Sequence, residues 1–229
     1  MTTLPDTLAE VDSAPLKDPI QFVCSLLDDA VKGGNEMPFH EALRSHWIIR
    51  NVPIEILDAC WQASREPRGL IRLASHFADR GVIVRTICAC ARTVLPLVPG
   101  PAGLPEAVIA AAEGNPYGEP TSPNLLEMAG ELDQRLLLTE KPSALHAVRS
   151  VQRAALSAII VGSRSWVGFG AGAAVEAIDA VVLEHDRSIT ATVEAEATEN
   201  VLGIIRTRLS CPTLSEVIDY AHRHWTAAR

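Results

Sequence analysis

The 229-residue chain is predicted to be all-α, either one compact helical bundle or a short stack of helix pairs. Three observations predict this. Apolar residues recur every three or four positions through most of the chain. Alternating runs of strand type are nearly absent; the β-like tetrapeptide 158–161 sits inside a longer helical pattern. Start and stop residues of helical type (Asp, Ser, Thr and Pro before, Gly after) punctuate the apolar runs. About ten helices are expected, and no sheet.

Asp18 and Pro19 open a first helix that closes at Gly33-Gly34, and Pro38 opens a second to residue 49. Asn51 and Pro53 open a third, with Ile54, Leu57 and Trp61 on one side. A fourth is predicted over 67–80, with Leu70, Leu73, Ala74 and Phe77 on one face and Gly81 as its stop. A fifth over 82–95 places Ile83, Ile87, Cys90, Ala91 and Val94 on one stripe before Pro96 ends it. A Pro- and Gly-rich loop, 99–123, holds a short helix at 105–113 and is the potential division of an otherwise single domain, 1–229. Ser122-Pro123 caps the next helix, to residue 139.

Over 143–161, His146, Arg149, Arg153 and Ser157 form a polar stripe, with Leu145, Val148, Val151, Ala155 and Ile159 away from it. Helices over 170–185 and 188–209 follow. The last helix starts with a capping box, Thr213 to Glu216, and directs Leu214, Val217, Ile218, Ala221 and Trp225 inward.

Composition narrows the function. Hydrophobic residues are 48% and charged residues 21%, enough for a real core. The net charge of -8 argues against a general nucleic-acid binder, which needs a basic surface. No uninterrupted apolar window is long enough for a membrane span, since Arg164, Glu176 and Asp179 break the stretch 154–183. The acidic N-terminal stretch lacks the basic region of a signal peptide. Five scattered cysteines fit reduced thiols in a cytoplasmic protein.

Few motifs carry chemistry. Cys88 and Cys90, two apart on a helix, face opposite sides; Cys88 reads first as an inert helix cysteine, and as a reactive thiol in the alternative that Arg85 and Arg92, on either side of it, lower its pKa. Asp219 and His222 form a single D-x-x-H, with His224 beside it; no second such motif and no H-E-x-x-H completes a metal site. Gly168 to Gly172 reads G-x-G-x-G, not the dinucleotide fingerprint, and fits a helix start whose small residues admit a close neighbour. The pairs Glu127/Glu131 and Glu176/Asp179 and the run Glu184-His185-Asp186 read as solvated faces. No catalytic residue, metal or cofactor is therefore assigned. Arg65, Arg68 and Arg72, spaced i, i+3 and i+7, form a basic ridge continued by His76 and Arg80. It can meet acids on a partner, or an internal partner such as the acidic segment before residue 36.

The stretch 84–98, V-R-T-I-C-A-C-A-R-T-V-L-P-L-V, resembles a motif of small all-helical bacterial immunity proteins, whose helix ends in a similar CA-x-x-VLPL run. There a Pro-rich loop leads to a short EA-x-x-AA helix, here Glu106 to Ala112, and Ala-rich helices follow. The resemblance covers residues 82–185 and departs from the pattern in lacking a Trp after the short helix and in its longer middle loop. It implies a helical binding protein without catalytic residues, and a toxin as partner. The expected function is thus a non-enzymatic protein-interaction module whose partner is a protein, and a basic one given the acidic surface. Two alternatives stand beside it. One is a helical enzyme or ligand binder with a pocket between helices lined by Gly168–Gly172 and Glu176; the other is a structural module of a larger assembly.

Overall fold

The computed structural model describes residues 54–100, 103–118, 123–160, 165–185, 190–213, 215–217 and 219–220. The two helices expected before residue 50, the acidic segment before residue 36, and His222 and His224 lie outside them. Among the described residues there are no strands. The elements are α1 (Ile54–Ala63), α2 (Pro67–Ala74), α3 (Arg80–Arg92), a 3-10 turn (Leu95–Leu97), α4 (Gly103–Gly114), α5 (Pro123–Leu137), α6 (Pro142–Ile159), α7 (Ser165–Glu184) and α8 (Thr190–Arg208). The all-α prediction holds.

Small side chains decide which helices sit at the centre. α7 buries Gly170, Ala171, Gly172, Ala173, Ala174, Ala177 and Ala180, and α6 buries Ala144, Ala147, Ser150, Ala154, Ala155, Ser157 and Ala158. With so little between the backbones the two helices lie close and antiparallel, and among the described helices theirs is the most extensive interface. Successive cross-contacts fix the register: Ser143 to Glu184, His146 to Glu176, and the Ser150 hydroxyl donating to the Ala173 carbonyl at 2.8 Å. α3, α4 and α5 pack against α6, while α2, α3 and α8 pack against α7. Larger residues fill the outer layer of one core, among them Trp61, Leu70, Ile83, Ile87, Ile109, Leu132 and Leu202, all buried. Each such aliphatic side chain contributes about 1.5–3 kcal/mol on burial.

α6 departs from the expected two-faced helix. Its stripe of His146, Arg149, Arg153 and Ser157 is turned toward the protein as well as the apolar one, because neighbours cover it on several sides. The buried Ser157 hydroxyl is satisfied locally, donating to the Ala154 carbonyl at 2.6 Å. Among the described residues α7 is the one helix long and apolar enough to cross a membrane by length and composition. Over half of that window (56%) is buried within the fold.

The predicted fourth helix ends six residues early, and the fifth starts two residues early. α2 ends at Ala74 with Ser75 as its C-cap, and a new helix, α3, starts at Arg80. Asp79 explains the restart, since its carboxylate accepts from the Gly81 N–H at 2.8 Å, as an N-cap does. The Tyr117 hydroxyl donates to the same carboxylate oxygen at 2.7 Å. Gly81 is therefore not a stop but the first turn of α3, where a Cβ would come within 2.9 Å of both Asp79 Oδ1 and the Tyr117 hydroxyl. The capping box at the chain's last described helical turns forms as the spacing predicts. The Thr213 N–H donates to Glu216 Oε2 at 2.7 Å and the Glu216 N–H to Thr213 Oγ1 at 3.2 Å.

Candidate functional site

The i, i+3 spacing of Glu176 and Asp179 puts two carboxylates on one face of α7, and the antiparallel register brings His146 and Arg153 of α6 against them. Glu176 is 8% exposed, the one buried acid among the described residues. Its Oε2 lies 2.6 Å from His146 Nδ1, and its Oε1 lies 3.1 Å from an Arg153 guanidinium nitrogen. Gly172 makes room for that arginine: a Cβ there would fall 2.2 Å from Arg153 Nη1. Asp179, nearer the surface, has Oδ2 3.8 Å from His146 Nδ1, within ion-pair reach but beyond a hydrogen bond. Burial pushes the Asp179 carboxyl up from its ordinary value; His146 and Arg68 oppose this, and the neighbouring charges of Glu176 and Glu194 add to it. The result is a half-open polar cluster of one imidazole, two carboxylates and one guanidinium. Its three donor side chains, His146, Glu176 and Asp179, bring ligand atoms within 4.8 Å of one another.

The sequence held both halves of this cluster, as the polar stripe of α6 and the acid pair of α7. It assigned them to solvent because His146 and Glu176 are 30 positions apart and nothing local pairs the two helices.

A second feature is the outer face of α5. Leu125, Ala129 and Leu132 are buried against the core, so the opposite side must face outward. That side carries Leu126 and Leu137, with Leu138 in the turn that follows α5; the three are 62%, 87% and 82% exposed. Exposed acids surround them, namely Glu127, Glu131, Asp133 and Glu140. Between the leucines lies a shallow depression lined by Glu127, Gly130, Glu131, Gln134, Arg135 and Leu138.

The residues singled out from sequence fall elsewhere. Cys88 requires a correction: it is fully buried, and burial pushes its thiol up to about 12, with Glu113 adding to the rise and Arg92 opposing it. Arg92 is occupied by a two-point pair with Glu113, its Nη2 2.6 Å from Oε2 and its Nε 3.3 Å from Oε1. Cys90 is buried as well and likewise pushed up to about 12. The two thiols do not face opposite environments, because α3 is enclosed by α4, α6, α7 and α8. Burial disfavours the thiolate form of both.

The arginine ridge is shorter than expected. Arg65 pairs with Glu199 of α8, and Arg206 stands 3.6 Å from the same carboxylate. An internal partner for the ridge's first residue is thus an acid of α8. Arg68 and Arg72 lie on α2, with Arg68 close enough to Asp179 to lower its carboxyl. Arg80 leaves the ridge altogether. One of its nitrogens donates to the carbonyls of Ser157, Ala158 and Ile160 (3.1, 3.1 and 2.6 Å), capping the end of α6, and its guanidinium lies 5.1 Å from the Trp166 ring centre.

Within Gly168–Gly172, Gly170 and Gly172 face packed side chains, not an open pocket. Gly170 is packed on Ile87 and Gly172 on Arg153, inside α7, which begins at Ser165. A cleft of about 330 Å³ instead lies between α7 and α8, lined by residues including Val181, His185, Glu196 and Asn200.

Comparison of the chain with known protein families, curated proteins and solved structures finds no match.

Proposed function

We propose that this chain is a non-enzymatic interaction protein that captures a basic, partly apolar segment of another protein on the outer face of α5. The observation that carries the reading is the group of leucines on that face, Leu126, Leu137 and Leu138, exposed amid Glu127, Glu131, Asp133 and Glu140. Covering an exposed leucine contributes up to about 1.5–3 kcal/mol, so three give a partner real apolar gain. The acids around them favour lysine or arginine at the rim of the partner and disfavour an acidic one. Leu126 and Leu137 are eleven residues apart, or about 16 Å along a helix, which suits two turns or more of a helical partner. The resemblance of residues 84–98 to immunity proteins supports a toxin as that partner. That motif lies within α3 and the following turn, where Val84, Ile87, Cys88, Cys90, Ala91 and Val94 are core. It therefore describes scaffold, and the binding surface belongs to another helix.

The test is site-specific photo-crosslinking from Leu137, with the exposed α8 residue Thr207 as control, in cells that express the chain. A protein trapped from position 137 and not from 207, and released by Leu126→Ser with Leu138→Ser at unchanged thermal midpoint, is the expected outcome. Equal trapping from both positions, or none from 137, overturns the reading.

A further inference from the structure

We propose that His146, Glu176 and Asp179 form a binding site for one divalent transition-metal ion, of which zinc is the best fit, between α6 and α7. The site is separate from the α5 face and does not depend on it. Three features of the cluster carry the inference. First, donor type: one imidazole nitrogen with two carboxylate oxygens suits zinc better than magnesium or calcium, which favour all-oxygen shells. Second, distance: zinc holds nitrogen and oxygen at about 2.0–2.2 Å, so its ligand atoms stand about 3.3–3.5 Å apart in a tetrahedron. The ligand atoms of the three residues already lie within 4.8 Å of one another, so shifts of an ångström or so complete the geometry. Third, the internal pairing leaves one acid underserved. His146 Nδ1 and Arg153 both serve Glu176, at 2.6 and 3.1 Å, while Asp179 sits 3.8 Å from a nitrogen already engaged. A metal ion seated between the three side chains joins both carboxylates to the imidazole at once.

The elements around the site constrain how the ion is held. Arg153 occupies Glu176 Oε1, which leaves Oε2 as the single oxygen available from that residue. Glu194 of α8 adds negative potential from one side and Arg68 of α2 opposes it from the other. Asp179 and His146 keep side-chain exposures of 46% and 24%, so an entry path exists and the remaining coordination positions are open to water. The site is of the three-ligand open kind.

Zinc titration of the full chain against a chromophoric chelator tests this, followed by cobalt absorption as a report of coordination. The expected result is one zinc per chain at neutral pH, weakened at least tenfold by His146→Ala and by Asp179→Asn. His222→Ala with His224→Ala should leave that ion in place. Asp179→Asn is nearly isosteric and half-exposed, so it keeps the test valid if His146→Ala does not fold. No zinc bound, binding unchanged in both site variants, or binding abolished only by the His222/His224 variant overturns the proposal.

Discussion

Two glycines two positions apart, and so on opposite sides of the helix, show how finely α7 is set. A Cβ on Gly170 would fall 2.1 Å from Ile87 Cδ1, and Ile87 is fully buried with nowhere to yield. Gly170→Ala is therefore expected to destabilise by about 1–3 kcal/mol despite its better helix propensity. Gly168 is exposed with nothing within 4 Å of such a Cβ. Gly168→Ala should stabilise by about 0.5–1 kcal/mol, and urea unfolding of the two variants checks both signs. Residue-scale chemistry also decides Cys88 and Cys90. With both thiols pushed up to about 12 by burial, a thiol reagent should modify neither in the folded protein and both on unfolding. Peptide mass spectrometry after timed labelling reads this directly, and rapid labelling of Cys88 alone would contradict it. The sequence placed two guanidinium groups near Cys88, but it does not show which side of a fully enclosed helix is dry.

At the scale of elements, two arginines finish helices to which they do not belong. Arg80 of α3 caps α6, and Arg206 of α8 donates to the carbonyls of Trp61 and Ser64, at 3.4 and 2.6 Å, at the end of α1. Arg80→Ala should cost about 1–3 kcal/mol, the range for hydrogen bonds from a charged donor, with a fall in the thermal midpoint as the measure. Asp79 governs the start of α3, and its contribution depends on pH. The Tyr117 hydroxyl above all holds its carboxyl below the ordinary carboxylate range; burial, next in size, opposes this, and the Gly81 and Val82 N–H groups and Arg85 add to the lowering. A depressed acid stabilises fully above its unfolded value and loses that contribution as pH falls through its folded one. The stability gap between wild type and Asp79→Ala should thus be constant near neutrality and close in strong acid. A gap unchanged at pH 2 would show that the charge is not what caps α3. Helix positions from α4 to α8 were legible because their apolar spacing is strong. The α2–α3 break was legible but its position was not, because Asp79 caps only once Tyr117 and Gly81 are beside it. Helix partners were not legible at all, and the His146–Glu176–Asp179 cluster exists only through such a pairing.

Over the whole molecule the charge of -8 is arranged in blocks, and the structure places a dense acidic share on α5 around exposed leucines. Association with a basic partner should accordingly slow as salt rises while the dissociation rate, set by the leucines, changes little. Stopped-flow rates from low to physiological salt separate the two. An association rate flat with salt would remove charge from the recognition. The tight antiparallel seating of α6 on α7 bears on something different, the order in which the chain acquires its shape. The two helices are consecutive, so their docking closes only a short loop, and it places the largest single interface within reach before any distant segment has to be found. This hairpin is expected to form the folding nucleus. Gly172→Ala, whose Cβ would meet Arg153 of α6, should then show its effect mainly as slower refolding, whereas Arg206→Ala, which loosens α8 from α1, should show mainly as faster unfolding.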